Sequence, residues 1–284
     1  MNNKILFAAL FSFNLSSAAI ADPIDVGGVV WDPEAGAPFA DFSMDYSSYQ
    51  WFTNNADAIS NTPNAIPVLN TINPGGLIVG DVLGGVAEVF RMNGNTADVN
   101  SLTGGALCPN CELTLTFGGF EITSFDTNSP IFSGGWINFY VDHTPDFTPT
   151  DAGGINPANA ANGDLWLALD VTGNTFFGSS PESGDFTLDF QAVGGLAQAN
   201  FDTNTKQGLN GLVDLISNNS TIFNNFQDLN FSGQGSTADQ FKDYYASENG
   251  QIFGSSVAVP EPNTLALAGL ALLVVAGLRR RRLR

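Results

Sequence analysis

The chain has 284 residues, 28 of them acidic and only 9 basic, for a formal net charge of −19. So acidic a surface repels nucleic acid and anionic lipid, which excludes a phosphate-tracking role. Hydrophobic residues make up 43% and aromatic residues 11%, which excludes a disordered acidic chain and requires a packed core.

The N-terminus has the form of a secretory signal. Lys4 supplies a positive start, Ile5 to Phe13 form a short apolar run, and Ala19-Ile20-Ala21 is a small-x-small cleavage site. The run is too short to span a bilayer. Residues 1–21 are therefore predicted to be removed, with Asp22 as the first mature residue.

Residues 22–253 are read as one extracytoplasmic domain. Between the two chain ends the only basic residues are Arg91, Lys206 and Lys242, against 27 acids. The body thus carries about 24 net negative charges, which suits solubility outside the cell or the collection of divalent cations. Paired glycines recur at irregular intervals, including Gly84-Gly85, Gly118-Gly119 and Gly134-Gly135; they read as turns and bulges between strands. Phe39 to Ala65 has too mixed a pattern to assign. Cys108 and Cys111, the two cysteines, form "CPNC". In an exported chain they are expected to be bonded to each other. A redox pair would need the first cysteine at a helix N-terminus, but "ELTLTF" follows, which alternates as a strand does. Zinc is disfavoured, because His143 is the single histidine and lies far away in sequence.

The strands come next. "ELTLTFGGFEITSF" is predicted to be a hairpin turning at Gly118-Gly119. "GGWINFYVD" is apolar or aromatic on both faces and is predicted to be central. "GDLWLALDVTG" puts Leu165, Leu167, Leu169 and Val171 on one side. "GDFTLDFQAV" puts Phe186, Leu188 and Phe190 inward and Thr187, Asp189 and Gln191 outward. Two helices are expected as insertions. In "KQGLNGLVDLIS", Leu209, Leu212, Val213 and Ile216 recur at helical spacing; in "STADQFKDYYAS", Phe241, Tyr244 and Tyr245 share a face. "QIFGSSVAV" supplies a last strand, then a small-residue linker over 254–259. The predicted class is all-β: an antiparallel β-sandwich, jelly-roll-like, with short helical insertions and a C-terminal hydrophobic helix.

One loop gathers candidate ligands. Asp142, Asp146 and Asp151, with Asn156 and Asp164 beyond them, follow a strand in a Gly/Pro/Asn-rich stretch. Such hard oxygen donors are what Ca²⁺ takes, although the ligand rhythm of an EF-hand is absent. The plain alternative is a solvated acidic loop. His143 beside Asp142 reads as a solvent-facing side chain at a strand end and not as an acid–base pair. No Gly-x-Ser-x-Gly elbow or His-Glu-x-x-His helix is present, so no catalytic residue is assigned. Trp31, Trp51, Trp136 and Trp166 could stack on sugar rings if exposed; Trp136 and Trp166, inside strands, are expected in the core.

The chain ends in "VPEPNTLALAGLALLVVAGLRRRRLR". The uncharged run Thr264 to Leu278 reaches about 22 Å as a helix, short of the ~30 Å hydrocarbon core, yet able to span with thinning or snorkelling flanks. The arginines after it stay on the cytoplasmic side. Pro260, Glu261 and Pro262, the apolar run, and Arg279, Arg280, Arg281 and Arg282 together resemble the PEP-CTERM sorting signal of Gram-negative bacteria. The resemblance covers residues 260–284 and implies recognition by a membrane-embedded exosortase. It also implies cleavage near the motif and release to the cell surface or an extracellular polysaccharide matrix. Pro260 and Pro262 keep the junction extended and outside the helix, where a processing enzyme reaches it.

The sequence therefore describes an exported surface or matrix protein. It is expected to be structural or adhesive, non-catalytic, and associated with exopolysaccharide and biofilm. Its partners would be an exosortase and extracellular polysaccharide, with no nucleic acid. The alternatives are a carbohydrate-binding module, with or without assistance from Ca²⁺, and a glycan-active hydrolase.

Overall fold

Alternating apolar residues punctuated by glycine favour extended backbone, and strands dominate the computed structural model. It describes residues 23–33, 42–53, 77–93, 95–96, 105–126, 129–147, 157–180, 183–222 and 246–259. The signal segment, the sorting tail with its expected hydrophobic helix, Asp151, and the expected helix over 236–247 lie outside these residues, save Ala246 and Ser247, which open a strand instead.

In chain order the strands are β1 (Ile24–Val26), β2 (Val29–Trp31), β3 (Phe42–Thr53), β4 (Val82–Met92) and β5 (Asn95–Thr96). Then come β6 (Glu112–Asp126), β7 (Ser129–Ser133), β8 (Trp136–Asp142), β9 (Asp164–Ser180) and β10 (Ser183–Gly194). A single helical turn, α1 (Gln198–Phe201), precedes β11 (Lys206–Gln207), β12 (Leu212–Val213), β13 (Leu215–Ile222) and β14 (Ala246–Gly254).

Eight of these strands form one ring. The order is β3-β4-β6-β8-β9-β10-β13-β14, every pair antiparallel, and β14 returns to β3 with Ile252 opposite Met44. The all-β, antiparallel class is as expected. Closure as an up-and-down barrel adds that the ring has no free edge, which removes the hazard of unpaired strand backbone. β5 and β7 pair only locally, with β4 and with the far half of β6. Gly134 and Gly135 make the turn between β7 and β8 with φ of +69° and +118°. A Cβ at Gly135 would stand 2.4 Å from the Phe120 ring.

Eight strands leave an interior that side chains nearly fill. Here Tyr46, Leu83, Leu115, Phe117, Phe120, Ile137, Phe186 and Leu188, with Ser48 and Gln50, surround a cavity of only ≈ 30 Å³. Phe176, Phe132 and Phe186 cluster at one end, with ring centroids 4.9–6.1 Å apart. The other end is plugged by Trp31, Phe42, Trp166 and Phe201, whose rings meet at 4.7–5.7 Å. Both indoles of the plug are satisfied. Trp166 Nε1 donates to the Val26 carbonyl at 2.9 Å, and Trp31 Nε1 to Ser256 Oγ at 3.0 Å.

Several expectations are corrected. Gly118-Gly119 is not a hairpin turn. β6 runs straight through it with a bulge opposite Gly84, Gly119 sitting at φ +74°, and the true reversal follows Asp126. β4 pairs with β6 on both sides of the glycines, and on the other side β8 pairs up to Gly118 and β7 from Glu121 on, which keeps the strand in line. The helix expected over 206–217 is replaced by the β11–β12 hairpin and the start of β13. Gly208 and Gly211 interrupt it, the Gly208 N–H closing the turn on the Gly211 carbonyl at 2.8 Å. Asp189 does point away from the barrel axis but is not solvated: that hairpin covers it, and the Leu209 N–H donates to its carboxylate. The unassigned 39–65 stretch contains β3. The linker is no free stalk, because Ser255 and Ser256 are buried against the plug.

The loop between α1 and β13 hangs on one buried carboxylate. Asp214 Oδ1 accepts from the N–H groups of Thr203 (2.7 Å) and Asn204 (2.6 Å), and Oδ2 from that of Ala192 (2.8 Å). Replacing Asp214 by alanine strands these three donors. We expect a loss of about 3 kcal/mol in urea unfolding, with Asp214→Asn near half of that. A loss below about 1 kcal/mol would mean that water replaces the carboxylate and the loop does not depend on it.

Candidate functional site

The plugged end of the barrel also gathers acids. Glu112 opens β6, immediately after the turn in which Cys108 and Cys111 are joined by a disulfide. Asp142 closes β8 and is the register partner of Glu112. The chain then turns back. Asp142 Oδ1 accepts from the Thr144 N–H at 2.7 Å, and Glu112 Oε1 accepts from the N–H groups of Asp146 (3.1 Å) and Phe147 (3.2 Å). Carboxylate oxygens of Glu112, Asp142 and Asp146 come within 4.8 Å of one another.

The return segment is held down firmly. Asn159 Nδ2 donates to the Asp146 carbonyl at 3.0 Å, and Asn162 Nδ2 to the Asp146 carboxylate at 3.2 Å. Thr114, on the outer face of β6, donates to the Ala160 carbonyl at 3.0 Å. Gly163 presses against β8, where a Cβ would lie 2.3 Å from the Val141 carbonyl oxygen. These bonds fix Asp146 beside Glu112, not merely near it.

Electrostatics follow from burial. Glu112 is buried and Asp146 exposed. Loss of water pushes the Glu112 carboxyl up to about 7; the Asp146 and Phe147 amides oppose the rise, and the charges of Asp142 and Asp146 add to it. Glu88, on β4, is likewise raised to about 7, first by burial and then by Glu112. Two responses relieve such crowding: protons on Glu88 and Glu112, or a cation among the oxygens.

Of the expected ligands, Asp142 and Asp146 are brought together, while Asp151 lies outside the described residues. Glu112 escaped the sequence reading because it lies 30 residues before Asp142. The available signal was an acid at the head of an otherwise apolar strand, as Glu88 is within "GGVAEVF". Asp164 and His143 are exposed, and His143 packs over Gly28. Cys108 and Cys111 are buried in a turn leading into a strand, away from any helix N-terminus. Trp136 and Trp166 are buried, as their place inside strands led us to expect, and the sugar-stacking reading is corrected for Trp31, which is buried as well. The Trp51 side chain lies outside the described ones, as do Ala19, Ala21, Pro260, Glu261, Pro262 and the arginines. Among the described residues no helix is long and apolar enough to cross a membrane.

Residues 258–282 match the PEP-CTERM protein-sorting motif. No curated protein and no solved structure matches the chain. The motif marks an exported chain that is anchored transiently in the membrane and processed by an exosortase.

The raised carboxyls set a pH dependence. Folded Glu88 and Glu112 titrate near 7 and the unfolded groups near 4.5. Between these values the folded chain holds protons that the unfolded chain releases, so stability falls as pH rises through that window. In chelator, the melting temperature should drop from pH 5 to pH 8, and by less in Glu112→Gln and in Glu88→Gln. Parallel pH profiles for the variants and wild type would show that neither group is protonated in the fold.

Proposed function

We propose that the mature barrel is a structural or adhesive component of the cell surface or its extracellular polysaccharide matrix, and that it works without catalysis. The observation that carries this reading is the sorting motif joined directly to a barrel with a filled interior. A cavity of ≈ 30 Å³ has room for little beyond water. It lies inside the ring among Tyr46, Phe117 and Phe186, away from the acidic cluster at the barrel's end. A hydrolase needs its acid and nucleophile on the floor of a cleft. Glu112, the carboxyl best suited to be an acid, is instead covered by the Asp146–Phe147 backbone. The acidic exterior keeps the protein soluble and apart from anionic surfaces. Its matrix partner would then be a neutral glycan, or an acidic one bridged by cations.

Processing provides the first test. Protein shed from the native host should begin at Asp22 and lack Arg279 to Arg284. Intact-mass analysis that finds the arginines still attached to shed protein would sink the matrix reading and leave a permanently anchored one.

A second reading, cation-assisted glycan binding, is favoured by the three carboxylates within 4.8 Å. Three carboxylates need water or further protein oxygens to complete a Ca²⁺ shell of six to eight. At a dissociation constant of about 10⁻⁴ M, 1 mM Ca²⁺ adds roughly 1.4 kcal/mol, read as a melting temperature a few degrees higher than in chelator. The gain should be larger at pH 8 than at pH 5, because protons compete for Glu112. Magnesium should do less, and Asp142→Asn with Asp146→Asn should remove the calcium-specific part. Equal shifts with the two metals, unchanged in that double variant, would leave a solvated acidic surface.

A further inference from the structure

The chain leaves the barrel under restraint. Gly254 is packed so closely that a Cβ would lie 2.4 Å from Leu215 and 2.7 Å from the Asp214 carbonyl oxygen. Ser256 Oγ accepts the Trp31 indole N–H in the plug. Val257 is then gripped twice by Asn200, which is itself buried. The Val257 N–H donates to the Asn200 carbonyl at 2.9 Å, and Asn200 Nδ2 to the Val257 carbonyl at 2.9 Å. The sorting motif begins at the next residue, 258. No spacer separates folded barrel from address.

The tether is therefore short. From Val257 to Thr264, where the apolar run starts, fully extended chain covers at most roughly 25 Å. While the tail is in the membrane, the plugged end of the barrel lies at the bilayer surface. That same end collects exposed aliphatic side chains. Nine large apolar residues are exposed among the described ones, and five lie on or beside the exit. Val193 is near the end of β10 and Leu196 just after it. Leu212 sits where its carbonyl takes the Gln191 amide, and Val257 and Val259 are on the exiting chain itself. No large aromatic is among the nine, so the patch is not a sugar-stacking surface.

We propose that this patch is a membrane-docking surface. While the precursor is anchored, Leu196, Leu212, Val257 and Val259 enter the headgroup boundary of the outward-facing leaflet, and the barrel stands on the bilayer on its plugged end. The occupant is lipid because the tether delivers this face, and no other, to the bilayer. With about 24 negative charges on the body, the contact is apolar, so zwitterionic lipid supports it better than anionic lipid. Cleavage near the motif removes the anchor, and so few aliphatic side chains then hold the barrel only weakly; docking positions the precursor and processing frees it. The inference rests on the anchoring reading of the tail.

The test uses the whole chain with its tail uncut, placed in phosphatidylcholine vesicles without exosortase. One added cysteine, Leu196→Cys, Leu212→Cys or Ile131→Cys, carries a fluorophore; the native pair is bonded and does not react. Ile131 is also exposed, at 46% against 55% for Leu196 and 60% for Leu212, but lies on β7 beside the far half of β6, at the opposite end. Flotation with the vesicles reads anchoring, and quenching by nitroxide-labelled headgroups reads docking. Docking predicts anchored protein whose 196 and 212 probes, ~5–10 Å deep in the interface, are quenched several-fold more than the 131 probe. Protein that floats with all three probes quenched alike would overturn docking and leave anchoring intact. Protein that does not float overturns both. A flexible insert of about twenty residues between Val259 and Pro260, ~25 Å in mean reach, separates contact from mere confinement. With the insert, quenching at 212 should persist and be lost on adding Leu196→Asn with Val257→Asn. If the insert alone abolishes it, the patch has no affinity for lipid and the proposal falls.

Discussion

The pairing of β14 with β3 is the contact on which the rest of the molecule depends. Without it β3 and β14 would each present a row of unpaired amides and carbonyls. With it, the backbone of all eight strands is satisfied within one ring, and the interior is sealed from water along its length. Ile252 and Phe253 belong to the strand that closes the ring, and Ser255 to Val257 continue from it into the plug. Closing the barrel and seating the sorting tail are thus consecutive parts of one packing event.

The two ends of the barrel are built differently. At one, a phenylalanine cluster packs around Phe186. At the other, two indoles with satisfied N–H groups and two phenylalanines make a stopper over the ring. Around that stopper lie the acidic cluster, the disulfide turn, the Asp214-held loop and the exit of the chain. Polar chemistry therefore gathers where backbone leaves regular pairing and amides become available to carboxylates. Glu112 and Asp214 each take up backbone N–H groups that no strand partner could satisfy.

Much of the fold was legible in the sequence, for a definite reason. Phe186–Phe190 alternates because the ring buries one face throughout, and Trp136–Asp142 is apolar on both faces because both are covered. β3 was illegible because its inward row runs Tyr46, Ser48, Gln50, with two polar residues facing the interior cavity. Gly118-Gly119 read as a turn because local sequence cannot reveal that β4 pairs on both sides of it. The 206–217 stretch shows helical spacing, yet Leu209 and Leu212 are exposed in a hairpin; the periodicity reflected no buried stripe. At the acidic cluster the loop partners Asp142 and Asp146 were readable by proximity. Glu112 was not, since only strand register brings it opposite Asp142. The sorting motif was fully legible, because its three parts are read in order along the chain and need no partner elsewhere in the fold.

The register of the closing pair also sets a timetable. Met44 and Ile252 stand opposite each other although nearly the whole domain lies between them in sequence. Such long-range pairing makes for slow folding, on the millisecond-to-second scale of β-barrels. During export the N-terminal strands emerge first and must wait, open-edged, until β14 has crossed. By then the apolar tail, ten residues further on, is about to halt in the bilayer. The chain cannot complete its ring well before it is tethered, and arrest of the tail puts the last strand outside with little slack. Ring closure thus begins only as translocation nears its end, and the edges of β3 and β13 stay open until then.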